Sequence, residues 1–393
     1  MLVLVLSLVT LVIMGQATNE ALQAITQSAD SFSNDLFKEI LKEKPQGNVI
    51  CSTLSAHLVL SMAAYGARGN TLKQMGKSLY LPKDFNIARQ GFQSLLSSLQ
   101  NVQDIVLKIA NKIYIAKDFD VDPRFQNLMP AMFKSEISVF DTAKTAESVK
   151  SVNQWVENQT NNKIHDIIKS DDVNSNTHLM LLNAVYFKGS WAQKFNQQFT
   201  SNRPFHVNGK TKKNVPTMFM RGSFKNGLLP ELEARFIELP YKNKELKMVI
   251  ILPNKMDGLS DIEKNLSSLI LSRLAESNDD ARGFDLYLPR FKIETTIDLQ
   301  QPLQKLGMGS IFGSAADFSG IAKAPLKIGK VLQKAFIEVN EEGSEAAAAT
   351  ETEIEQLSGN SKFDVNHPFA YQIVKEASQN ERIVLFSGVV REP

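Results

Sequence analysis

The segment that follows Gly343, residues 344 to 356, alternates between two kinds of residue. The even positions are small or apolar: Ser344, Ala346, Ala348, Thr350, Thr352 and Ile354. Four odd positions are glutamates: Glu345, Glu351, Glu353 and Glu355. A period of two gives one face suited to burial and one suited to water, as in a β-strand. The segment has no proline and no large side chain in its first half, so it can enter a packed sheet. Alanine and glutamate also favour helices, and an exposed helix is the alternative interpretation.

The composition excludes a general attraction to polyanions. The chain has 393 residues, of which 43% are hydrophobic, so it can bury a large core in one domain or in two. It carries 44 Lys and Arg against 42 Asp and Glu, a formal net charge of +2. We therefore expect no nucleic-acid partner and no membrane-surface partner, and a polyanion would need a local patch.

The N-terminus resembles a signal peptide. An apolar stretch runs from Leu2 to Met14, and the following Gly15-Gln16-Ala17 suits signal peptidase, with cleavage after Ala17. No stretch reaches the roughly 20 apolar residues needed to span a bilayer. We expect a signal peptide at 1–17 and a secreted, extracellular mature chain, 18–393. The lone Cys51 permits no intramolecular disulfide. Candidate glycosylation sites are Asn158 and Asn265, although such sequons often go unused.

Helical spacing dominates the first third of the chain, and strand patterns dominate the later part. The pattern predicts helices over Ala21 to Lys44, Ser55 to Tyr65, from a capping box at Thr71 to Gln74 onward, and over Asn153 to Lys169. It predicts strands at Leu179 to Phe187, Leu246 to Leu252 and Phe284 to Leu288. Strands and helices do not alternate regularly, so we expect one α+β unit and not a doubly wound α/β fold.

The sequence motifs of an enzyme are missing. The chain has five histidines but no His-Glu-x-x-His pair and no Cys-x-x-Cys, which leaves zinc chemistry unsupported. It has no Gly-x-Ser-x-Gly elbow. Gly76-Lys77-Ser78 resembles the end of a phosphate loop, but Thr71 stands where the loop needs glycine, and Gly307 to Gly313 misses the dinucleotide fingerprint by one residue. We expect no catalytic residues, no metal and no cofactor.

The segment from Val339 to Thr350 resembles the hinge of the serpin family of serine-protease inhibitors, and it is most similar to arthropod haemolymph members. Other segments resemble landmarks of the same family, in the same order, and together they cover essentially all of residues 28 to 393. They are Asn48 to Ile50 with Ser52 and Ser55, Asn183 to Trp191, Leu288 to Lys292, Asp317 to Gly320, His367 to Phe369, and Phe386 to Gly388.

The resemblance implies a serpin fold with three β-sheets, eight or nine helices and an exposed reactive-centre loop at about 343–362. An extracellular serine protease attacks this loop and forms an acyl-enzyme; the hinge side then enters the largest sheet as a new strand. The hinge comprises Gly343, Ser344, Glu345, Ala346, Ala347, Ala348, Ala349 and Thr350. The resemblance further implies a monomer that regulates an immune or clotting-type cascade. A non-inhibitory carrier, storage or chaperone protein is the alternative, although the small hinge residues favour inhibition.

The family's spacing on both sides of the loop places the reactive bond at Leu357-Ser358, with cleavage elsewhere in 353 to 362 as the alternative. Leucine suits the apolar pocket of chymotrypsin-, elastase- or cathepsin G-like proteases. A trypsin-like target needs Lys or Arg, and the nearest is Lys362.

The resemblance also assigns a gate through which the loop enters, formed by Ser52, Asn183 and Gln333. The family commonly has histidine at the position of Gln333; glutamine donates and accepts hydrogen bonds but does not titrate. Trp191 is carried over as a packing residue at the insertion site. In both cases an ordinary buried residue is the alternative.

Many serpins bind sulfated polysaccharide such as heparin through a basic helix, which here would span roughly 84 to 101 and contains only Arg89. A denser basic segment offers a second candidate, with solvated surface as the alternative: Lys210, Lys212, Lys213, Arg221 and Lys225.

Overall fold

The structure is a computed structural model that describes residues 2–100, 104–265, 283–343, 361–378 and 381–393. Its α-helices are α1 (Leu2–Glu43), α2 (Thr53–Ala64), α3 (Gly69–Ser78), α4 (Phe85–Leu99), α5 (Pro123–Phe133), α6 (Thr145–Gln159), α7 (Leu259–Asn265) and α8 (Gln300–Leu303). In the described part of the chain, no helix combines the length and the apolar character needed to cross a bilayer.

The strands are β1 (Val49–Cys51), β2 (Ile105–Ala116), β3 (Ile137–Phe140), β4 (Leu179–Gly189), β5 (Ser201–His206), β6 (Lys212–Gly222), β7 (Asn226–Leu229), β8 (Ala234–Pro240), β9 (Leu246–Pro253), β10 (Phe284–Pro289), β11 (Phe291–Asp298), β12 (Ile328–Val339), β13 (Ser361–Asp364), β14 (Phe369–Ser378) and β15 (Glu381–Val390). They form a six-stranded sheet, β1-β15-β14-β9-β8-β7, a four-stranded sheet, β13-β10-β6-β5, and a five-stranded sheet, β11-β12-β4-β2-β3. The predicted α+β fold with three sheets is confirmed.

The five-stranded sheet is covered on both faces because its central strands alternate between two cores. On β4, Leu179, Leu181, Val185 and Phe187 pack into the main core, which also contains α2 and the six-stranded sheet. The intervening Met180, Leu182, Ala184 and Tyr186 pack into a smaller core with α6. Burial on both sides explains why β4 is apolar almost throughout, whereas half-exposed strands alternate with polar residues.

Three predicted helices differ from the observed ones. Helix α1 begins at Leu2 and not at Ala21. In the other two, residues that were predicted to form or cap a helix make tertiary contacts instead. Helix α3 begins at Gly69 without a side-chain cap, and the Thr71 hydroxyl instead accepts a hydrogen bond from the Asp317 amide at 2.9 Å. The helix predicted over residues 153 to 169 begins earlier, at Thr145, and ends at Gln159. Asn161 and Asn162 then have positive φ, which ends the helix.

His57 on α2 is fully buried between the rings of Phe32 and Phe92. Its Nε2 lies 3.0 Å from the carbonyl oxygen of Leu79. Since a carbonyl only accepts, Nε2 carries the proton, and Nδ1 has no hydrogen-bond partner among the described residues. Burial lowers the pKa of His57 from 6.5 to about 4. The neutral ring is therefore the native form.

This burial predicts that acid destabilises the fold through His57. Between about pH 6.5 and 4 the unfolded chain binds a proton at His57 that the native protein does not, so the free energy of unfolding falls as the pH is lowered. The loss approaches roughly 3 kcal/mol below pH 4. Urea unfolding of the wild type and of His57→Gln across this range measures the difference. Parallel pH profiles for the two proteins would contradict the assignment.

Candidate functional site

The two central strands of the five-stranded sheet, β4 and β12, run parallel and lie side by side, with Asn183 opposite Gln333. A chain that reverses direction after β12 is antiparallel to β12. Because β4 is parallel to β12, the same chain is antiparallel to β4 as well. If β4 and β12 separated, a strand formed by the segment after β12 could therefore make ladder hydrogen bonds on both sides.

The three predicted gate residues meet at the middle of this strand pair. The Gln333 side chain donates from Nε2 to Asn183 Oδ1 at 2.5 Å and to the Ser52 carbonyl at 2.8 Å. Its Oε1 accepts from the Ser52 amide at 3.0 Å. The Ser52 hydroxyl in turn donates to the Leu385 carbonyl at 2.7 Å. All three gate residues are buried, so the network joins β4, β12, the start of α2 and β15.

Two further residues complete the gate, and sequence reasoning did not assign either of them to it. Asn111 of β2 lies opposite Asn183, and the Asn183 amide donates to Asn111 Oδ1 and to Ser55 Oγ. The Ser55 hydroxyl donates to Asn111 Oδ1 at 3.2 Å. The sequence does contain a signal for Asn111. It is a polar amide on the core-facing side of β2, between two isoleucines on the same side.

The end of β12 is fixed by a buried carboxylate. Glu341 is 2% exposed, and its Oε1 accepts from Arg290 Nε at 2.6 Å and from the Thr200 hydroxyl. Its carbonyl accepts from the Phe195 amide at 2.9 Å. Sequence reasoning did not assign a role to this cluster. Because a buried charge is costly to leave unpaired, Glu341 holds the end of β12 against the segment that follows β4.

Trp191 is buried beside the end of β12; its role at an insertion site stays a prediction. The indole is 3% exposed and stacks on Tyr241 with ring centroids 4.6 Å apart. Its Nε1 donates to the Asn340 carbonyl at 2.9 Å, and its backbone amide donates to the Glu342 carbonyl at 3.3 Å. Trp191 therefore packs at the point where the chain leaves β12.

Gly343 is the last described residue before the loop, and its position requires glycine. Its φ is +74°, and an added Cβ would lie 2.2 Å from the Gly189 carbonyl oxygen and 2.6 Å from the Trp191 amide nitrogen. The remaining hinge residues, from Ser344 to Thr350, and the predicted reactive bond Leu357-Ser358 lie outside the described residues. The chain is described again from Ser361, in β13, which pairs parallel with β10.

The remaining predicted sites lie on the surface. Asn158 is exposed near the end of α6, and Asn265 is exposed at the end of α7. The five basic residues do not form one patch. Lys210, Lys212 and Lys213 lie near one end of β6 and Arg221 and Lys225 near the other, about 30 Å away along the strand. Arg221 Nε pairs with Asp285 at 2.8 Å, and Lys213 pairs with Glu392.

The gate predicts the effect of removing its central amide. In Gln333→Leu, Asn183 and both backbone groups of Ser52 lose their partners in a buried site, and we expect the free energy of unfolding to fall by about 2–4 kcal/mol. The variant should also form polymers on native gels faster on mild heating, because less holds β4 and β12 together. The exposed Gln126→Leu on α5 is the matched control. Equal urea midpoints for the two variants would contradict a stabilising gate.

Comparisons with known proteins identify the family to which this chain belongs. A sequence profile of the family Serpin (serine protease inhibitor) matches residues 27–393. The leukocyte elastase inhibitor of Sus scrofa is 36% identical over 382 residues, which cover 95% of this chain and 100% of that protein. Antichymotrypsin-2 of Bombyx mori is 34% identical, over 92% of this chain and 96% of that protein. The crystal structure of Serpin48 from the insect Tenebrio molitor superposes with a TM-score of 0.85 at 33% identity, covering 94% of this chain and 98% of Serpin48. The chain therefore belongs to the serpin family, the family of serine protease inhibitors.

Proposed function

We propose that this protein is a secreted inhibitory serpin, a suicide substrate of an extracellular chymotrypsin- or elastase-like serine protease in an immune or clotting-type cascade of the arthropod haemolymph kind. One observation supports the proposal above all. The strands β4 and β12 pair in parallel, and Gly343 lies just after β12, where the chain can turn back towards them. Secretion rests on the signal-peptide pattern of residues 1–17, and a mature N-terminus at Thr18 in the culture medium would test it.

The inhibitory cycle follows from this arrangement. The serine of the protease attacks the carbonyl carbon of Leu357, the bond to Ser358 breaks, and Leu357 remains esterified to the protease. The freed segment then enters between β4 and β12, antiparallel to both. The thirteen steps from Ser344 to Leu357 span about 43 Å, close to the roughly 40 Å of β12 at the same rise. The bound protease is therefore carried along the whole length of the sheet.

Insertion is driven by the exchange of hydrogen bonds with water for ladder hydrogen bonds within the sheet. Each new ladder bond contributes about 0.5–1.5 kcal/mol net, before the cost of ordering the segment. A full strand therefore contributes an amount comparable with the roughly 5–15 kcal/mol that stabilises a whole domain. The gate and the Glu341 cluster oppose this step until the loop is cut, so the uncleaved form persists for kinetic reasons.

The choice of protease follows from Leu357. An apolar residue at the reactive bond fits an apolar specificity pocket, and two similar proteins are named as inhibitors of elastase and chymotrypsin. The glutamates of the loop favour proteases with a basic rim around the active site.

Incubation with chymotrypsin and, in parallel, with trypsin tests the proposal. We expect a covalent complex with chymotrypsin that survives denaturing electrophoresis, and a released peptide that begins at Ser358. The cleaved protein should melt at a higher temperature than the intact one. Cleavage without a complex, with no rise in melting temperature, would instead support a non-inhibitory carrier, storage or chaperone protein.

Substitutions in the hinge separate insertion from simple cleavage. Ala346→Arg and Thr350→Arg would place a charge on the buried face of the inserted strand, so we expect both variants to be cleaved at the wild-type rate with little covalent complex. Glu345→Arg exchanges one charged side chain for another at an odd-numbered position and should retain inhibition. Unchanged yields of complex in the first two variants would refute insertion in this register.

A further inference from the structure

A groove of about 980 Å³ lies between the end of α2, α3 and the start of α4, far along the chain from the hinge. We call it the α3–α4 groove. Its apolar surface is formed by Tyr65, Leu72, Tyr80, Leu81, Phe85 and Leu128. Leu72, Tyr80 and Phe85 are 41%, 47% and 47% exposed. They are three of the eight large hydrophobic side chains that are exposed within the described residues. Such a concentration of exposed apolar surface marks a binding site more often than a random surface.

Two residues shape the groove at a cost in stability. Gly76 lies inside α3, where glycine costs about 1 kcal/mol relative to alanine, yet an added Cβ would meet nothing within 4 Å. Tyr80 follows the end of α3 with φ +54°, a backbone conformation that favours glycine. The Tyr80 hydroxyl donates to Asp35 Oδ2 at 2.6 Å, which fixes the ring beside the groove. Gly76 keeps the groove open because it has no side chain. Tyr80 forms an aromatic wall of the groove.

The rim of the groove is positively charged. Its charged lining residues are Arg68, Lys73, Lys77 and Lys83, and no Asp or Glu lines it. The three lysines are exposed, and none of them forms an ion pair with another described residue. Nearby carboxylates are engaged: Asp84 caps α4 through the amides of Asn86 and Ile87, and Asp35 accepts from Tyr80. Arg68 donates to the carbonyls of Tyr65 and Ala67 and lies near Asp317. The lysines are therefore free to bind an anion.

We propose that the α3–α4 groove binds a long-chain carboxylate of the fatty-acid class. The acyl chain lies over Leu72, Gly76 and Leu128, where the apolar surface removes it from water. The carboxylate is bound by Lys73 and Lys77, which are one turn apart on the same side of α3. A groove of this size, largely apolar with few charged groups at its edge, is typical of small-molecule sites. This site is independent of the reactive loop, so it stands or falls separately from the proposed inhibition.

Fluorescence titration of the full-length protein with cis-parinarate, and displacement by palmitate, tests the proposal. We expect saturable binding that Gly76→Leu weakens by about tenfold or more, because the new side chain fills the groove. Gly209→Leu is the matched control: its Cβ also meets nothing within 4 Å, it lies in the loop between β5 and β6, and it should bind like the wild type. Equal affinities in Gly76→Leu and the wild type would overturn the proposal.

A second variant tests the charged rim and does not depend on how well Gly76→Leu folds. The double variant Lys73→Gln/Lys77→Gln should weaken palmitate by roughly tenfold and leave displacement by the neutral hexadecanol unchanged. Equal losses for both ligands would argue against a carboxylate site. Size-exclusion chromatography tests whether a second copy of the chain occupies the groove instead. The proposal is wrong if the wild type self-associates, Gly76→Leu does not, and palmitate does not bind.

Discussion

The hydrogen bond between Gln333 and Asn183 is the interaction on which the closed five-stranded sheet most depends. It joins the two central strands, β4 and β12, and it lies at the middle of their ladder. Under the proposed mechanism these two strands separate when the loop inserts. A neutral hydrogen bond contributes only about 0.5–1.5 kcal/mol net, so this contact can hold the sheet and still be broken. Ser52, Ser55 and Asn111 link the same network to α2 and β2.

The Glu341 cluster has a different role from the gate. It anchors the end of β12 to the segment after β4 through the Thr200 hydroxyl and the Phe195 amide, and it pairs the buried Glu341 carboxylate with Arg290, whose side chain is 42% exposed. The gate uses neutral side chains. Leaving the buried Glu341 carboxylate without partners costs more than breaking a neutral hydrogen bond. The end of β12 is therefore fixed as far as Gly343, the last described residue before the predicted reactive-centre loop. Trp191, packed on Tyr241 and bonded to Asn340, braces the same point from the side of β4.

Periodicity located most of the regular structure and failed where distant contacts took over. The strand predicted at Leu179 to Phe187 is β4 with two more residues, because an unbroken apolar run of that length fits a strand buried on both faces. The helix predicted over residues 153 to 169 was displaced, because Ile164 and Ile167 are buried from an irregular segment. The apolar residues Ile164 and Ile167 are buried, but a residue can be buried without being part of a helix. The capping pattern at Thr71 failed for a related reason, since its hydroxyl serves the Asp317 amide.

The sequence by itself determined the α+β class, the alternating pattern after Gly343 and the family, because each of these depends on local pattern or on motifs in order. It also singled out Ser52, Asn183 and Gln333, whose role as a gate stays a prediction. Only the tertiary structure decided which side chains meet. Gln333 is separated from Ser52 by 281 positions and from Asn183 by 150, and the pairing of Arg290 with Glu341 and the walls of the α3–α4 groove likewise join separate elements. Local periodicity specifies which face of an element is buried, but the partner across that face is fixed only when the sheets and helices pack.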